Sequence, residues 1–309
     1  MNLGAPTLSQ SHTFVVDGNS IAHASHNGTV LTIGDSQVQA IYGFLRTIRS
    51  LMNTKPGSEI IILWDGKAEF RKEIYPEYKA NRDTLDAKQK ASREALRKQT
   101  PIITKALTML GVRQAKCFHL EADDLAGFLV PKLALSGRKV TMVTGDKDWI
   151  QAVNTDIEWF DPIRDRRCNE RNFLEFTEYE TPLAFVQGKA LIGDSSDNIS
   201  GVGGIGKVGA PLFLARWKNV YRFFEEGESS GKLSKAEAKL LTPEGRAIFE
   251  RNMSLMDWKR SPKPKKGEVV YEAVQPNAEQ FSELCRKLAF NSILRDINPF
   301  LQTFGINQE

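Results

Sequence analysis

Three short runs of the 309-residue chain are nearly uninterrupted in apolar, largely β-branched side chains, at residues 13–16, 59–64 and 139–143. Runs of that length without alternation read as strands buried on both faces, the pattern of a parallel sheet. Between them the period changes. Residues 38–52 set Val38, Ile41, Tyr42, Leu45, Ile48 and Leu51 on one helical face, and residues 102–110 repeat the pattern over a shorter span. Strand alternating with helix predicts an α/β fold, with a mostly parallel central sheet flanked by helices.

Two segments depart from this alternation. Residues 67–99 carry Lys67, Arg71, Lys72, Lys79, Arg82, Lys88, Lys90, Arg93, Arg97 and Lys98 against fewer acids and few aliphatics, so they cannot be core. From about residue 181 no further strand run appears, and helical periodicity broken by Gly and Pro predicts a helical region. The expected organisation is an α/β core over residues 1–180 and a helical region over 181–309. Residues 258–266, rich in Lys and Pro, read as an exposed connector, and no internal repeat is present.

Composition changes this picture little. A hydrophobic content of 41% is ordinary for a globular protein, and a net charge of +4 is mild, so affinity for a polyanion must come from local clustering. Cys117, Cys168 and Cys285 have neither zinc-knuckle nor redox spacing, which predicts a reducing compartment. No signal-peptide pattern opens the chain and no apolar run approaches a bilayer span, so a cytosolic chain with no membrane partner is expected.

The candidate chemistry lies in the acids. Each strand runs into carboxylates: Asp17-Gly18-Asn19, Asp65-Gly66, and Gly145-Asp146-Lys147-Asp148. In open α/β sheets the carboxyl edge is where ligands bind, although any single Asp-Gly is also an ordinary turn former. Glu121-Ala122-Asp123-Asp124 opens an apolar helical stretch that Pro131 is expected to limit, and it reads equally as acids favouring a helix N-terminus. Gly193-Asp194-Ser195-Ser196-Asp197-Asn198 reads equally as a helix cap. Convergence would decide the matter, because two carboxylates about 4 Å apart repel by about 4 kcal/mol at an effective dielectric near 20. Such a site needs cations or protons.

All-oxygen donors suit Mg²⁺ or Mn²⁺ better than zinc. His12, His23, His26 and His119 form no zinc motif, and no Ser-His-Asp or Cys-His set is apparent, so a metal-activated water is the expected nucleophile. A glycine string, Gly201-Val202-Gly203-Gly204-Ile205-Gly206-Lys207, satisfies dinucleotide-site spacing and nearly that of a P-loop. Both need a strand before and a helix after, whereas the preceding residues are polar, and Val208 stands where a P-loop has Ser or Thr. A third reading joins two short helices through a turn whose backbone N–H groups hold a DNA phosphate.

Together these motifs, with Tyr75-Pro76-Glu77-Tyr78-Lys79-Ala80-Asn81-Arg82, resemble the flap-endonuclease or 5′-nuclease family, in order over about two-thirds of the chain. The family includes free-standing bacteriophage enzymes and the N-terminal nuclease domain of bacterial DNA polymerase I. The resemblance implies two divalent ions, Mg²⁺ or Mn²⁺. Asp17, Asp65, Glu121, Asp123, Asp124 and Asp146 would serve the first, directly or through water; Asp148, Asp194 and Asp197 would serve the second, with Asp146 near both. It also implies a helical arch over residues 67–99, in which Lys79 and Arg82 contact the scissile phosphate and Tyr78 stacks on a base. A helix-three-turn-helix near residues 190–220 would grip duplex DNA through Gly201, Gly203, Gly204, Gly206 and Lys207, and hold a K⁺ ion; Gly203 stands where relatives usually have Pro.

The implied activity is a structure-specific 5′-3′ exonuclease and flap endonuclease of replication or repair. It would act as a monomer on branched or nicked DNA with a 5′ single-stranded end, in a bacterial or phage-infected cell. The chain ends without room for a polymerase, which implies a separate polypeptide. Three rivals differ in class: a nucleotide hydrolase using the glycine string, a non-catalytic DNA-binding module, and a PIN-like nuclease acting on RNA.

Overall fold

The computed structural model describes residues 11–81, 86–229, 231–272 and 274–307. The three expected strands form, as β1 (His12–Asp17), β2 (Glu59–Trp64) and β4 (Lys139–Val143), within a larger sheet. β3 (Arg113–Cys117), β5 (Ile157–Asp161), β6 (Arg166–Cys168) and β7 (Val269–Tyr271) complete it, in the order β7-β3-β2-β1-β4-β5-β6. The inner five strands are parallel, and the two edges are antiparallel. β7 corrects the expectation that no strand follows residue 181. Three residues on an edge make too short an apolar run to stand out, and what fixes β7 is its pairing with β3.

The chain runs from β1 outward through β2 and β3, then crosses back to β4 on the other side of β1. That reversal opens a crevice at the carboxyl ends of β1 and β4, the usual ligand position of such sheets. Alternate side chains of β1 feed the two faces. Phe14 and Val16 pack with α1 (Gly18–His26), α2 (Gln39–Thr54) and α4 (Ala87–Met109), whereas Val15 packs with α5 (Ala122–Leu135). Each fully buried Phe, Leu or Ile contributes about 1.5–3 kcal/mol. The second core continues into α6 (Pro182–Ile192), α7 (Gly209–Trp217) and α8 (Pro243–Met256), so apolar packing runs without a break across residue 180.

Two helices exceed their expected lengths. α4 begins at Ala87, where the Asp86 carboxylate and the Gln89 side chain cap each other's backbone, so the latter part of the basic segment is one helix with residues 102–109. Pro101 lies inside α4 and Pro131 inside α5. Each proline deletes one backbone donor, and packing of the flanking turns keeps the helix intact. α3 (Glu69–Ile74) opens the basic segment and packs against α8.

Candidate active site

The carboxylates at the strand ends are caps and site residues at once. Asp17 is 7% exposed; its Oδ1 accepts the Ser20 N–H at 2.9 Å and its Oδ2 accepts the Thr144 hydroxyl at 2.9 Å. Asp65 Oδ1 accepts the Ala122 N–H at 2.8 Å, joining the end of β2 to the start of α5. Asp146 Oδ1 accepts the Asp148 N–H at 2.8 Å and starts the 3₁₀ turn Lys147–Ala152. Asp123 Oδ1 accepts the Trp149 indole N–H at 2.9 Å. The glycines beside the first two acids are there for close approach and not for turns: a Cβ on Gly18 would lie 2.7 Å from the Trp64 ring, and one on Gly66 would lie 2.0 Å from the Cys117 carbonyl oxygen.

These groups load one another electrostatically. Burial, then Asp65, pushes the Asp17 carboxyl up to about 7. Burial, then Asp148 and also Asp17, pushes Asp146 up to about 7. Asp123 is raised well above the carboxylate range by burial, Asp146, Glu121 and Asp17. Acids from three strand ends and one helix therefore act on one another at close range, with Asp17 enclosed and Asp146 facing solvent, an arrangement that favours protons or cations. Beside them a narrow cleft of about 10 Å³ is lined by Asp123, Asp148, Asp194 and Asp197, with Arg71 and Tyr78 on its wall.

Three cations reach into the acids. Arg71, 3% exposed, holds Asp124 through two bonds of 2.8 Å, Glu121 at 3.2 Å and the Leu255 carbonyl at 3.0 Å. Lys79 Nζ donates to Glu121 Oε1 at 2.6 Å and lies 3.7 Å from Asp197. Lys189 on α6 bonds Asp148 and, at 3.2 Å, Asp194. Burial works against the charge on Glu121 and Asp194, yet Lys79 with Arg71 in one case, and Lys189 in the other, hold them below the usual carboxylate range. Among the described residues, no three carboxylates close on a common point as a preformed metal cage, and lysine ammonium groups lie between them.

The expected residues do not all stand alike. Asp124 is enclosed: its oxygens face Arg71, and Oδ2 also accepts the Glu121 N–H at 3.0 Å, so it positions Glu121 from behind. Tyr78 is 4% exposed, with its hydroxyl 2.9 Å from Glu121 and 3.2 Å from Asp197; in this conformation it presents no ring face to a base. Lys79 adopts a left-handed backbone (φ 59°), and its N–H donates to the Asp197 carbonyl at 2.9 Å. Asn81 donates to the Ser195 and Ser196 carbonyls, and Asn198 donates to the Glu77 carbonyl, so residues 75–81 are stitched onto the loop bearing Asp194 and Asp197. Arg82 lies outside the described residues.

Gly201, Gly203, Gly204, Gly206 and Lys207 lie between α6 and α7, where buried Val202 and Ile205 anchor the segment and Lys207 is exposed. Gly203 (φ 88°) and Gly204 (φ 82°) take backbone angles that L side chains rarely adopt. The string follows a two-residue ladder, Gly193–Asp194 with Ile199–Ser200, and not a strand of the main sheet, so the dinucleotide and P-loop readings lose the element they require. Three of the four histidines have partners away from the site: His12 is at the opposite sheet edge, His26 bonds Ser92, and His119 faces Glu268.

Sequence reasoning missed Lys189 and the part played by Arg71. Lys189 could have been found, since it is a lone cation inside the apolar run of residues 182–192, five residues before Asp194, and a charge so placed needs a partner.

An open, mostly parallel sheet with a carboxylate-lined carboxyl edge at its reversal point is the arrangement of a class of acid-centred α/β nucleases. Residues 12–178 match the family described as 5′-3′ exonuclease, N-terminal resolvase-like domain. The chain belongs to this 5′-3′ exonuclease family and is a nuclease. A 5′-3′ exonuclease of Buchnera aphidicola is 34% identical over 203 residues, covering 65% of this chain and 68% of the relative. DNA polymerase I of Streptococcus pneumoniae is 29% identical over 94% of this chain and 33% of its own length, so the chain spans about a third of that relative. The flap endonuclease of bacteriophage T5, solved as a pseudo-enzyme–product complex with DNA and metal ions, has the same fold, with a TM-score of 0.69 at 22% identity over 96% of this chain and 100% of that one. Among the described residues no helix is long and apolar enough to cross a membrane.

Proposed function

We propose that the protein hydrolyses phosphodiester bonds in branched or nicked DNA bearing a 5′ single-stranded end, as 5′-3′ exonuclease and flap endonuclease, using two divalent ions. The observation that carries this reading is the mutual loading of Asp17, Asp123 and Asp146, brought together from two strand ends and one helix at the sheet's reversal point. An all-oxygen, over-charged donor set fits Mg²⁺ or Mn²⁺. Asp17, Asp65, Glu121, Asp123 and Asp146 would hold one ion and Asp148, Asp194 and Asp197 the other, with Asp146 beside both and Asp124 acting through Arg71 and Glu121. When bound, such ions supply positive charge to the phosphoryl oxygens and lower the pKa of an attacking water.

The chain's own part is orientation and charge. Lys79, with Arg82, neutralises the scissile phosphate once it leaves Glu121 and Asp197, and residues 67–99 guide the single strand as an arch. Tyr78 reaches a base only after the 75–81 segment lifts from the acid-bearing loop. The α6–α7 unit serves as the helix-three-turn-helix, with the N–H groups around Gly201, Gly203, Gly204 and Gly206 facing a duplex phosphate and Lys207 adding one contact; a K⁺ ion at its carbonyls completes the grip. In this reading residues 1–180 cut, residues 181–309 grip, and a monomer acts in the cytosol of a bacterial or phage-infected cell, removing primers and 5′ flaps in replication and repair. A 5′-labelled flap and a nicked duplex, each incubated with Mg²⁺ and with chelator, test it: metal-dependent shortening from the 5′ end is expected, and intact strands under both conditions would overturn it.

A further inference from the structure

Lys189 is the one charged residue of α6, with Phe185, Val186, Ala190 and Leu191 buried around it. Its ammonium group bonds two carboxylates from different elements, Asp148 on the 3₁₀ turn after β4 and Asp194 on the ladder after α6. Burial works against its charge, yet the paired aspartates hold its pKa above the ordinary lysine value, so the side chain is an ammonium ion. Arg71 makes a contrast. Its guanidinium is sealed at 3% exposure by Asp124, Glu121 and a backbone carbonyl, whereas the Lys189, Asp148 and Asp194 side chains are 21%, 25% and 22% exposed. Solvent and small ions reach the lysine pair, and a flexible four-carbon stem lets the ammonium swing away.

We propose that Lys189 is a tethered counter-cation for the second carboxylate pair: it holds Asp148 and Asp194 together in the metal-free protein and is displaced when a divalent ion takes them. The inference rests on the metal-dependent reading above and adds to it that affinity at this pair is set by exchange with a built-in competitor. Without a cation the two aspartates would repel and the loop of residues 193–200 would lose its tie to the sheet edge. With the lysine in place the fold keeps both acids near their working positions, and the ion replaces an existing bond instead of assembling a site. The first group of acids is tied differently: Asp17 is held by the Ser20 N–H and the Thr144 hydroxyl, and Lys189 acts on Asp146 only through its field, without a bond.

Titration of Mn²⁺ into metal-free protein by calorimetry, with melting in chelator as the second readout, separates the outcomes. In Lys189→Met the weaker binding event should tighten by roughly tenfold, the change that about one lost, partly buried ion pair carries. Its melting temperature in chelator should fall and be restored by Mn²⁺, and Lys189→Arg should behave as wild type. Unchanged or weaker binding in Lys189→Met, with wild type still binding Mn²⁺, overturns the counter-cation proposal and leaves the metal reading standing. No Mn²⁺ binding by wild type overturns both. Acetylation footprinting of the wild-type protein by mass spectrometry needs no variant: Lys189 should be protected in chelator and labelled several-fold faster with Mn²⁺, and equal labelling in the two conditions counts against displacement.

Discussion

At the amino ends of the central strands charge is matched: Lys139 meets Asp156 at 2.7 Å, Lys55 meets Glu158 at 3.2 Å, and Arg138 meets Glu59 at 2.8 Å. His12 lies between the Ser58 and Thr141 hydroxyls, and burial, then Lys55, lowers its pKa to about 4. The carboxyl ends of the same strands gather Asp17, Asp123 and Asp146 against each other, with their ionisation suppressed. Both edges are polar and both border clefts, that at the amino edge being about 430 Å³ and the larger of the two. Size and polarity therefore do not mark the site. Like charges crowded against one another do, because folding alone gains nothing from them and an external cation does.

The largest effect expected from breaking this asymmetry is at Asp146. Asp146→Asn removes one of the mutually loaded carboxylates while keeping its volume and its acceptor oxygen toward Asp148. Single-turnover cleavage of a flap substrate with Mg²⁺ should fall by at least about 10³-fold, the scale of losing an essential group that stabilises developing charge, with DNA affinity largely kept. Retained Mg²⁺-dependent turnover would falsify the assigned role.

A second, smaller effect is on stability. Asp17 and Asp146 titrate near 7 in the folded, metal-free protein and near 3.8 when unfolded, so between those values the folded state binds more protons. Their contribution is complete below about pH 4 and is lost as pH rises through 7. His12 has the opposite sign, since its lowered pKa makes its contribution fall as pH drops from 6.5 towards 4. The window from pH 6.5 to 8 isolates the acids. Melting temperature in chelator should decline across it, the decline should be shallower in Asp146→Asn, and Mg²⁺ should remove it; a rise with pH would show that these carboxylates are not loaded as described.

How much of this was legible beforehand follows from the range of each interaction. β1, β2 and β4 were readable because burial on both faces leaves an uninterrupted apolar run, and their terminal acids pointed to the crevice. β3, with sequence Arg-Gln-Ala-Lys-Cys, and the edge strand β7 were not, since partners and not local pattern fix them. Asp161 shows the other limit. It too ends a parallel strand, but Arg164 at 3.1 Å and Arg166 at 3.0 Å pair it, and its pKa is lowered despite burial. Spacing alone cannot separate a paired strand-end acid from a loaded one. The caps at Asp17 and Asp146 likewise show that the turn-forming and site-forming readings of one residue were compatible, which no sequence test could have decided.

The smallest effect belongs to the matched edge. Lys55→Met removes a half-exposed ammonium from Glu158 and from beside His12, leaving Glu158 with the Thr141 hydroxyl at 2.6 Å and Arg167 at 3.6 Å. Because partners remain and solvent screens the pair, unfolding free energy by urea denaturation should drop by less than about 1 kcal/mol. The His12 pKa should rise, since Lys55 is one of the causes that lower it, and the shift is readable from the imidazole resonances by NMR. Cleavage of the flap substrate should be unchanged, as the residue lies at the other end of the strands from the acids. A loss of cleavage comparable to that of Asp146→Asn would mean that the two edges are coupled through β1 and β4, and the division between a structural and a chemical end of the sheet would have to be abandoned.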